Sequence, residues 1–179
     1  MSTVEQIMKY PKSLADKYYL SAFIAGGYLR DTLLGKKVKD IDVFMIPEPS
    51  LHFDFDDAER IAEDEEMEIT SLSSELSEDT LNDHICLTTA KVCDNVENYY
   101  NFIFLDKHVS PEAILNTFDF GICQIGITED MEVITFPEFW KDVLNKTVTL
   151  LRYRSEERKE YRVGKMKEKF FNYKLVEEV

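Results

Sequence analysis

Two adjacent glycines, Gly26 and Gly27, join an apolar strand pattern to a short helical one, and this junction constrains the fold more than any other part of the chain. The preceding run, Tyr19 to Ala25 (YLSAFIA), is short, apolar and aromatic. It reads as a buried strand entering a tight turn, because glycine takes positive φ without a steric penalty. Leu29, Leu33 and Leu34 then recur at helical spacing, and Gly35 follows as a stop. A helix of one to two turns over Tyr28 to Leu34 is predicted. After the basic loop Lys36 to Lys39, the run Ile41 to Ile46 (IDVFMI) is a second apolar strand, closed by Pro47 and Pro49. The unit is therefore strand, glycine turn, short helix and strand.

Asp40 and Asp42 stand two apart at the start of that second strand, so their side chains leave the same face. Two carboxylates side by side repel by on the order of a few kcal/mol at an effective dielectric of about 20. A divalent cation or a proton must compensate. Magnesium suits such a pair, with manganese as the alternative, because it takes one or two carboxylates and completes its shell with water and substrate phosphates. The glycine turn lets a phosphate approach the backbone, and the helix that follows offers unpaired N–H groups. Arg30, one turn in, adds a bidentate phosphate grip. Each signal alone has a plainer reading: a D-x-D is commonly a strand end, and Arg30 beside a glycine turn commonly pairs with an acid such as Asp31. The two signals at this spacing make Asp40 and Asp42 the candidate catalytic and metal-binding pair, and Gly26, Gly27 and Arg30 the candidate nucleotide-binding residues.

The 179 residues are 44% apolar and 12% aromatic, enough for the core of one domain. A formal charge of -14 argues against a broad electrostatic grip on nucleic acid, since that grip needs Lys and Arg to neutralise phosphates. Any such contact must be local. Cys86, Cys93 and Cys123 form an odd set without C-x-x-C spacing, and His52, His84 and His108 are scattered singly, so neither a disulfide framework nor a zinc site is expected. No apolar run approaches the ~20 residues of a membrane helix. The opening residues, MSTVEQIMKYPK, carry an acid and a proline where a signal peptide would be apolar. A reducing, cytoplasmic setting is the expectation.

Elsewhere, Thr3 to Tyr18 has helical spacing interrupted by Pro11 and predicts two short helical pieces. Residues 54–83 hold thirteen acids and one basic residue, Arg60. Asp56 to Met67 reads as a solvated helix and Thr70 to Asp83 as a flexible, Ser-rich connection, the whole forming an acidic insertion. It keeps the protein soluble, or else it mimics nucleic acid, repels nonspecific RNA or engages a basic partner. Strands are predicted at His84 to Val92 and Tyr99 to Leu105, and Ser110-Pro111-Glu112 opens a short helix running to Asn116. Phe118 to Ile127 and Glu132 to Phe136 read as a final strand pair. Ser155 to Tyr173 reads as a charged helix packed by Tyr161, Met166, Phe170 and Phe171. Leu150 to Lys174 carries nine Lys or Arg against four acids, the one basic region of an acidic chain. Arg152, Arg154, Arg158 or Arg162 reaches a triphosphate or an RNA end, or else the stretch is a solvated helix with Glu–Lys pairs.

The string GGYLRDTLLGKKVKDIDVF, Gly26 to Phe44, resembles the head-domain signature of class II tRNA nucleotidyltransferases and bacterial poly(A) polymerases, members of the polymerase-β-like nucleotidyltransferase superfamily. Gly26, Gly27, Arg30, Asp31, Gly35, Asp40 and Asp42 all fall in register with GG-x-x-RD-x-LLG followed by D-x-D. The resemblance implies an α/β (α+β) fold with a mixed central sheet flanked by helices, here one nucleotidyltransferase domain over residues 1–179. It implies a triphosphate held by Gly27 and Arg30, and magnesium on Asp40 and Asp42. The implied reaction moves a nucleoside monophosphate from an NTP, ATP among them, to an acceptor hydroxyl and releases pyrophosphate, with two cations about 3.5–4 Å apart. The acceptor is a tRNA or other RNA 3′ end, a protein side chain or a small molecule.

The match weakens further along. In TFDFGICQIGI, Thr117 to Ile127, Asp119 aligns with the family's later motif, but Phe118 stands where that motif has an arginine that touches the nucleotide. The third metal-binding carboxylate of the superfamily falls on Asn101, with Asp106 as a weaker substitute. Asp31, Asp119, Arg152 and Arg154 are therefore supporting candidates only. The helical neck, body and tail of the full-length enzymes have no room here, so CCA addition by this chain alone is not expected. The chain is closer to short stand-alone nucleotidyltransferases of bacteriophage genomes, for which the setting would be the host cytoplasm. Two rival readings stay open: a nucleotide-binding regulatory module without competent chemistry, and an acidic interaction protein.

Overall fold

The computed structural model describes residues 2–72, 86–94, 97–153 and 155–178. Its first element, α1 (Val4–Tyr18), opens on a reciprocal cap in which the Gln6 N–H donates to Thr3 Oγ1 at 3.2 Å and the Thr3 N–H to Gln6 Oε1 at 2.9 Å. Pro11 lies inside this continuous helix and does not split it into two pieces as expected. A proline at position 11 removes the N–H that would bond the carbonyl of Ile7. The Tyr100 hydroxyl donates to that carbonyl at 3.1 Å instead, so the helix continues with no buried acceptor left unpaired.

The strand and helix unit at the two glycines forms as predicted. β1 (Leu20–Ala25) leads through Gly26 into α2 (Gly27–Leu33), and β2 (Ile41–Pro47) returns antiparallel to β1. The helix α3 (Phe55–Asp64) is capped by Asp54 and buries Ala58, Ile61 and Ala62. β3 (Glu68–Leu72) then pairs with β4 (Cys86–Cys93), which pairs with β5 (Tyr99–Leu105). The flexible connection expected from Thr70 therefore begins inside a strand, and its remainder, residues 73–85, lies outside the described residues. After α4 (Pro111–Leu115), capped by Ser110, come a 3₁₀ turn at Gly121–Cys123, β6 (Ile125–Thr128) and β7 (Val133–Thr135).

These strands make one seven-stranded mixed sheet in the order β3-β4-β5-β2-β1-β6-β7. Only β2 and β5 run parallel within it, with Asp42 directly opposite Asn101. Apolar residues continue along β1 and β2 without a polar alternation, because helices cover both faces. Ala22, Ile24, Val43 and Met45 pack with Ile7, Leu14 and Ile61 from α1 and α3. Phe23, Ala25, Phe44 and Ile46 point the other way, toward Ile114 and Leu115 of α4. Asp42 and Asn101 share the parity of this second face, at the end of the strands that α4 leaves uncovered.

The strand expected from Phe118 does not form over its whole length: Phe120 makes an isolated bridge to Leu150, and the strand itself is confined to Ile125 to Thr128. Gly121 sits so close beneath α5 (Pro137–Asn145) that an added Cβ would meet Glu138 Cβ at 2.9 Å, and this tight packing goes with a turn rather than a strand. β8 (Thr147–Leu150), α6 (Glu156–Lys169) and β9 (Lys174–Glu177) complete the chain, with β8 and β9 forming a separate parallel pair. Val163, Met166 and Phe170 are the buried side of α6, packed on Phe120, Ile122, Val148 and Leu150. Tyr161 and Phe171, expected to pack, are exposed. Their positions fall off the helical stripe that Val163, Met166 and Phe170 define. Asp142 ties α5 to β8 by accepting from the Thr147 and Thr149 hydroxyls, each at 2.6 Å. No helix among the described residues is long and apolar enough to cross a membrane.

Candidate functional site: a basic cleft over the glycine turn

A cleft of about 850 Å³ opens where β1 ends, with Gly26, Gly27, Arg30, Asp42, Asn101 and Asp119 among its lining. Gly26 has φ +76°, its N–H donates to Ile125 O at 2.8 Å, and its own carbonyl accepts from the Arg30 N–H at 3.1 Å. A Cβ here would be strained and would stand 3.0 Å from the Phe118 ring. The turn therefore requires glycine on backbone and steric grounds together.

Asp42 is partly buried at the cleft base, and its Oδ1 accepts from Asn101 Nδ2 at 2.8 Å. Burial pushes its carboxyl above the usual carboxylate range. The Asn101 amide holds it down in part, the Asp40 charge raises it further, and the charges of Arg162 and Lys91 oppose the rise. Asp40 itself precedes β2, is exposed and stands outside the cleft lining, close enough for its charge to bear on Asp42. Among the described residues, no three His, Cys, Asp or Glu side chains converge as a metal cluster. Asp106 lies beyond β5, at the opposite end of that strand from Asn101.

Arg30 and Asp31 are both buried. Arg30 Nε donates to Asp31 Oδ1 at 2.8 Å, Nη1 lies 2.9 Å from Cys123 Sγ, and the guanidinium stacks 5.1 Å from the Phe170 ring centroid. Burial alone would lower the Arg30 pKa, but the Cys123 sulfur and the Asp31 carboxylate outweigh it and hold the pKa above its ordinary value. Nη2 faces the turn, 3.8 Å from where a Cβ of Gly27 would be. Asp31 also receives Lys169 from the end of α6, so α2 and α6 are joined by one carboxylate. Lys36 strengthens the joint by donating to Lys169 O at 2.9 Å.

One wall of the cleft is α6. Arg158, Arg162, Lys165 and Lys169 line it at spacings of four, three and four, a single helical face. Lys36, Lys37 and Lys39, from the loop after α2, also line the cleft. Asp42, Asp119 and Glu168 are the acids of the lining, so positive charge predominates in this cleft of a chain whose net charge is -14. Arg162 Nε forms an ion pair with Asp119 Oδ2 at 2.9 Å. Arg152 lies beside that pair but outside the main cleft, with Nη2 3.5 Å from Asn116 Oδ1. Arg154 lies outside the described residues. Sequence reasoning assigned no role to Cys123, Lys165 or Lys169. The four-three-four spacing of the cations was a readable signal for the two lysines, and nothing local marks Cys123.

Several solved structures are similar to this one. A tRNA-processing enzyme in an apo form is 20% identical with TM-score 0.62, over 98% of this chain and 45% of that one. The Thermotoga maritima CCA-adding enzyme complexed with tRNA is 17% identical with TM-score 0.64, over 96% and 39%. A tRNA nucleotidyltransferase complexed with a primer tRNA and an incoming ATP analog is 21% identical with TM-score 0.56, over 92% and 46%. The chain thus spans less than half the length of these proteins, and the fold it shares with them is the nucleotidyltransferase fold. No curated protein sequence matches it. The chain belongs to the Gabija anti-defense 2 family, Gad2, whose match covers residues 2–146 and so ends before α6.

Proposed function

We propose that this chain is a metal-dependent nucleotidyltransferase that moves a nucleoside monophosphate from an NTP to an acceptor hydroxyl, releasing pyrophosphate, and that this transfer serves the action against Gabija defence denoted by its family name. The observation that carries the proposal is the convergence of the Gly26–Gly27 turn and Asp42 in one cationic cleft. In this reading the whole of residues 1–179 acts as one nucleotidyltransferase unit. The backbone at Gly26 and Gly27 lets phosphate oxygens approach, and Arg30 adds Nη2 from beneath while its other nitrogens brace the turn.

Asp40 and Asp42 suit a magnesium ion. Asp42 has a neutral amide on one oxygen and is driven toward protonation by burial and by Asp40, so a divalent cation supplies the charge that both carboxylates favour. Asp40 and Asp42 would hold the ion, which would supply Lewis-acid polarisation of the phosphoryl oxygens and a lower pKa for the attacking hydroxyl. Asn101 orients Asp42 for that task. Asp119 lines the same cleft and Arg152 lies beside its ion pair with Arg162, which supports reading both as supporting residues, and Arg154 remains a candidate by sequence. The confined cleft and the acidic remainder of the surface favour a small or local acceptor, such as an RNA 3′ end or a protein hydroxyl, over a long nucleic-acid track.

Incubation with magnesium, each α-labelled NTP and total cellular RNA and protein should label one fraction and release pyrophosphate. Asp40→Asn and Asp42→Asn should each reduce labelling by at least about 100-fold, the scale on which loss of one electrostatic stabiliser slows such reactions. Asn101, standing where related enzymes carry a third carboxylate, favours a second reading in which the cleft binds Mg-NTP without turnover. Calorimetric NTP binding with no pyrophosphate release from any acceptor would select that reading.

A further inference from the structure

Position 118 puts an aromatic ring rather than a phosphate donor into the cleft, and α6 brings an arginine to the same cleft. Phe118 packs its ring against Gly26 and lies 6.2 Å from the Phe44 ring centroid, an apolar contact with no donor to offer a phosphate. Arg30 has Nε on Asp31, Nη1 on Cys123 and a face on Phe170, so it can present only a single edge. The next residue along from Phe118 is Asp119, and it is paired at 2.9 Å with Arg162.

Arg162 is suited to a ligand in three ways. It belongs to the cleft-lining stripe of α6, between Arg158 and Lys165. Its helix is held in place by Lys169 on Asp31 and by Val163, Met166 and Phe170 in the core, so the guanidinium is delivered to a fixed position. Its side chain is 42% exposed and meets Asp119 through Nε, while phosphate is recognised bidentately through paired guanidinium nitrogens. A half-exposed ion pair is weak and readily exchanged for a multiply charged phosphate.

We propose that Arg162 grips the polyphosphate chain of the nucleotide, and that Asp119 holds this arginine ready until the polyphosphate displaces it. The proposal rests on the reading of the cleft as a nucleotide site. It gives α6, which lies beyond the family-matched residues 2–146, a direct part in substrate binding. Arg162 is then a binding residue and Asp119 a positioning residue.

The test is calorimetric titration of the full chain with inorganic tripolyphosphate, without divalent metal, for the wild type, Arg162→Ala, Arg162→Gln, Arg162→Lys and Asp119→Ala, with thermal melts to establish that each is folded. Both neutral variants should bind at least about tenfold more weakly, the scale of one lost charge-assisted pair. Arg162→Lys should recover only part of the affinity. Asp119→Ala should bind as well as the wild type or more tightly, because the competing carboxylate is gone. Neutral variants within twofold of the wild type would overturn the proposal. So would equal weakening by Arg162→Ala and Asp119→Ala, which marks a shared structural role, or a wild type that does not bind tripolyphosphate. Nucleotidyl transfer is scored separately: Arg162-dependent binding without any transfer would sink the reaction proposed above and leave this assignment standing.

Discussion

Asp42→Asn should make the metal-free protein more stable at neutral pH while removing its activity. Asp42 has its pKa raised chiefly by burial, with Asp40 adding to the rise. Such a carboxyl binds its proton more tightly in the folded chain than in the unfolded one. Its ionised form therefore opposes folding above the folded pKa, and the penalty fades as pH falls through that value toward the ordinary carboxylate range. Asparagine removes the charge and keeps an oxygen to accept from Asn101 Nδ2, now 2.8 Å from Asp42 Oδ1. An unpaired buried ion costs several kcal/mol. Turning the Asn101 bond from charge-assisted to neutral gives back about 1–2 kcal/mol, and the partial exposure of Asp42 reduces the gain further. A net stabilisation of about 1–2 kcal/mol corresponds to roughly 2–8 °C in Tm for a chain of this length. The assay is calorimetric melting of both proteins from about pH 3.5, near the ordinary carboxylate range, up to pH 8 in chelator, then with magnesium. The gap should widen as pH rises, and magnesium should raise the melting temperature of the wild type only, as a ligand of the folded state does. A variant that melts at or below the wild type at pH 8, or a gap independent of pH, would refute the reasoning.

Two further substitutions probe the frame around the site. Asp31→Ala leaves Arg30 buried without its carboxylate and frees Lys169, so urea unfolding should show a loss of about 3–5 kcal/mol. Limited proteolysis should then cut α6 first. Tyr100→Phe removes the donor that satisfies the Ile7 carbonyl at the Pro11 gap and should cost about 1–3 kcal/mol by the same measurement, with the spectroscopic helix content falling.

The elements that were legible in advance are those that local chemistry specifies. β1, α2 and β2 follow from an apolar run, a glycine turn and a helical repeat within 28 residues, Leu20 to Pro47. α4 follows from Ser110 and Pro111, and β5 from its own apolar run. The misreadings share another cause. Pro11 breaks an isolated helix, but Tyr100, 93 residues from the orphaned carbonyl of Ile7, supplies the missing donor. Phe118 to Gln124 has the composition of a strand, but the packing of α5 on Gly121 accompanies a turn there. Glu68 to Leu72 is polar enough to pass for a loop, and it is extended because β4 offers it a ladder.

The candidate site divides along the same line. Sequence by itself determined the glycine turn and the approach of Arg30 and Asp42 to it, because strand and helix periodicity places residues separated by a few turns or one hairpin. It also marked the stretch from Leu150 to Lys174 as the basic region of the chain, with Arg158 and Arg162 among its candidates. Only the tertiary structure decided what each of these meets: Asn101 across a parallel pair, Cys123 and Phe170 around Arg30, and Arg162 on Asp119. Those contacts join elements far apart in the chain. They exist because burying the two faces of the sheet and the apolar side of α6 stabilises more than any local preference does, and that burial sets which side chains share the cleft.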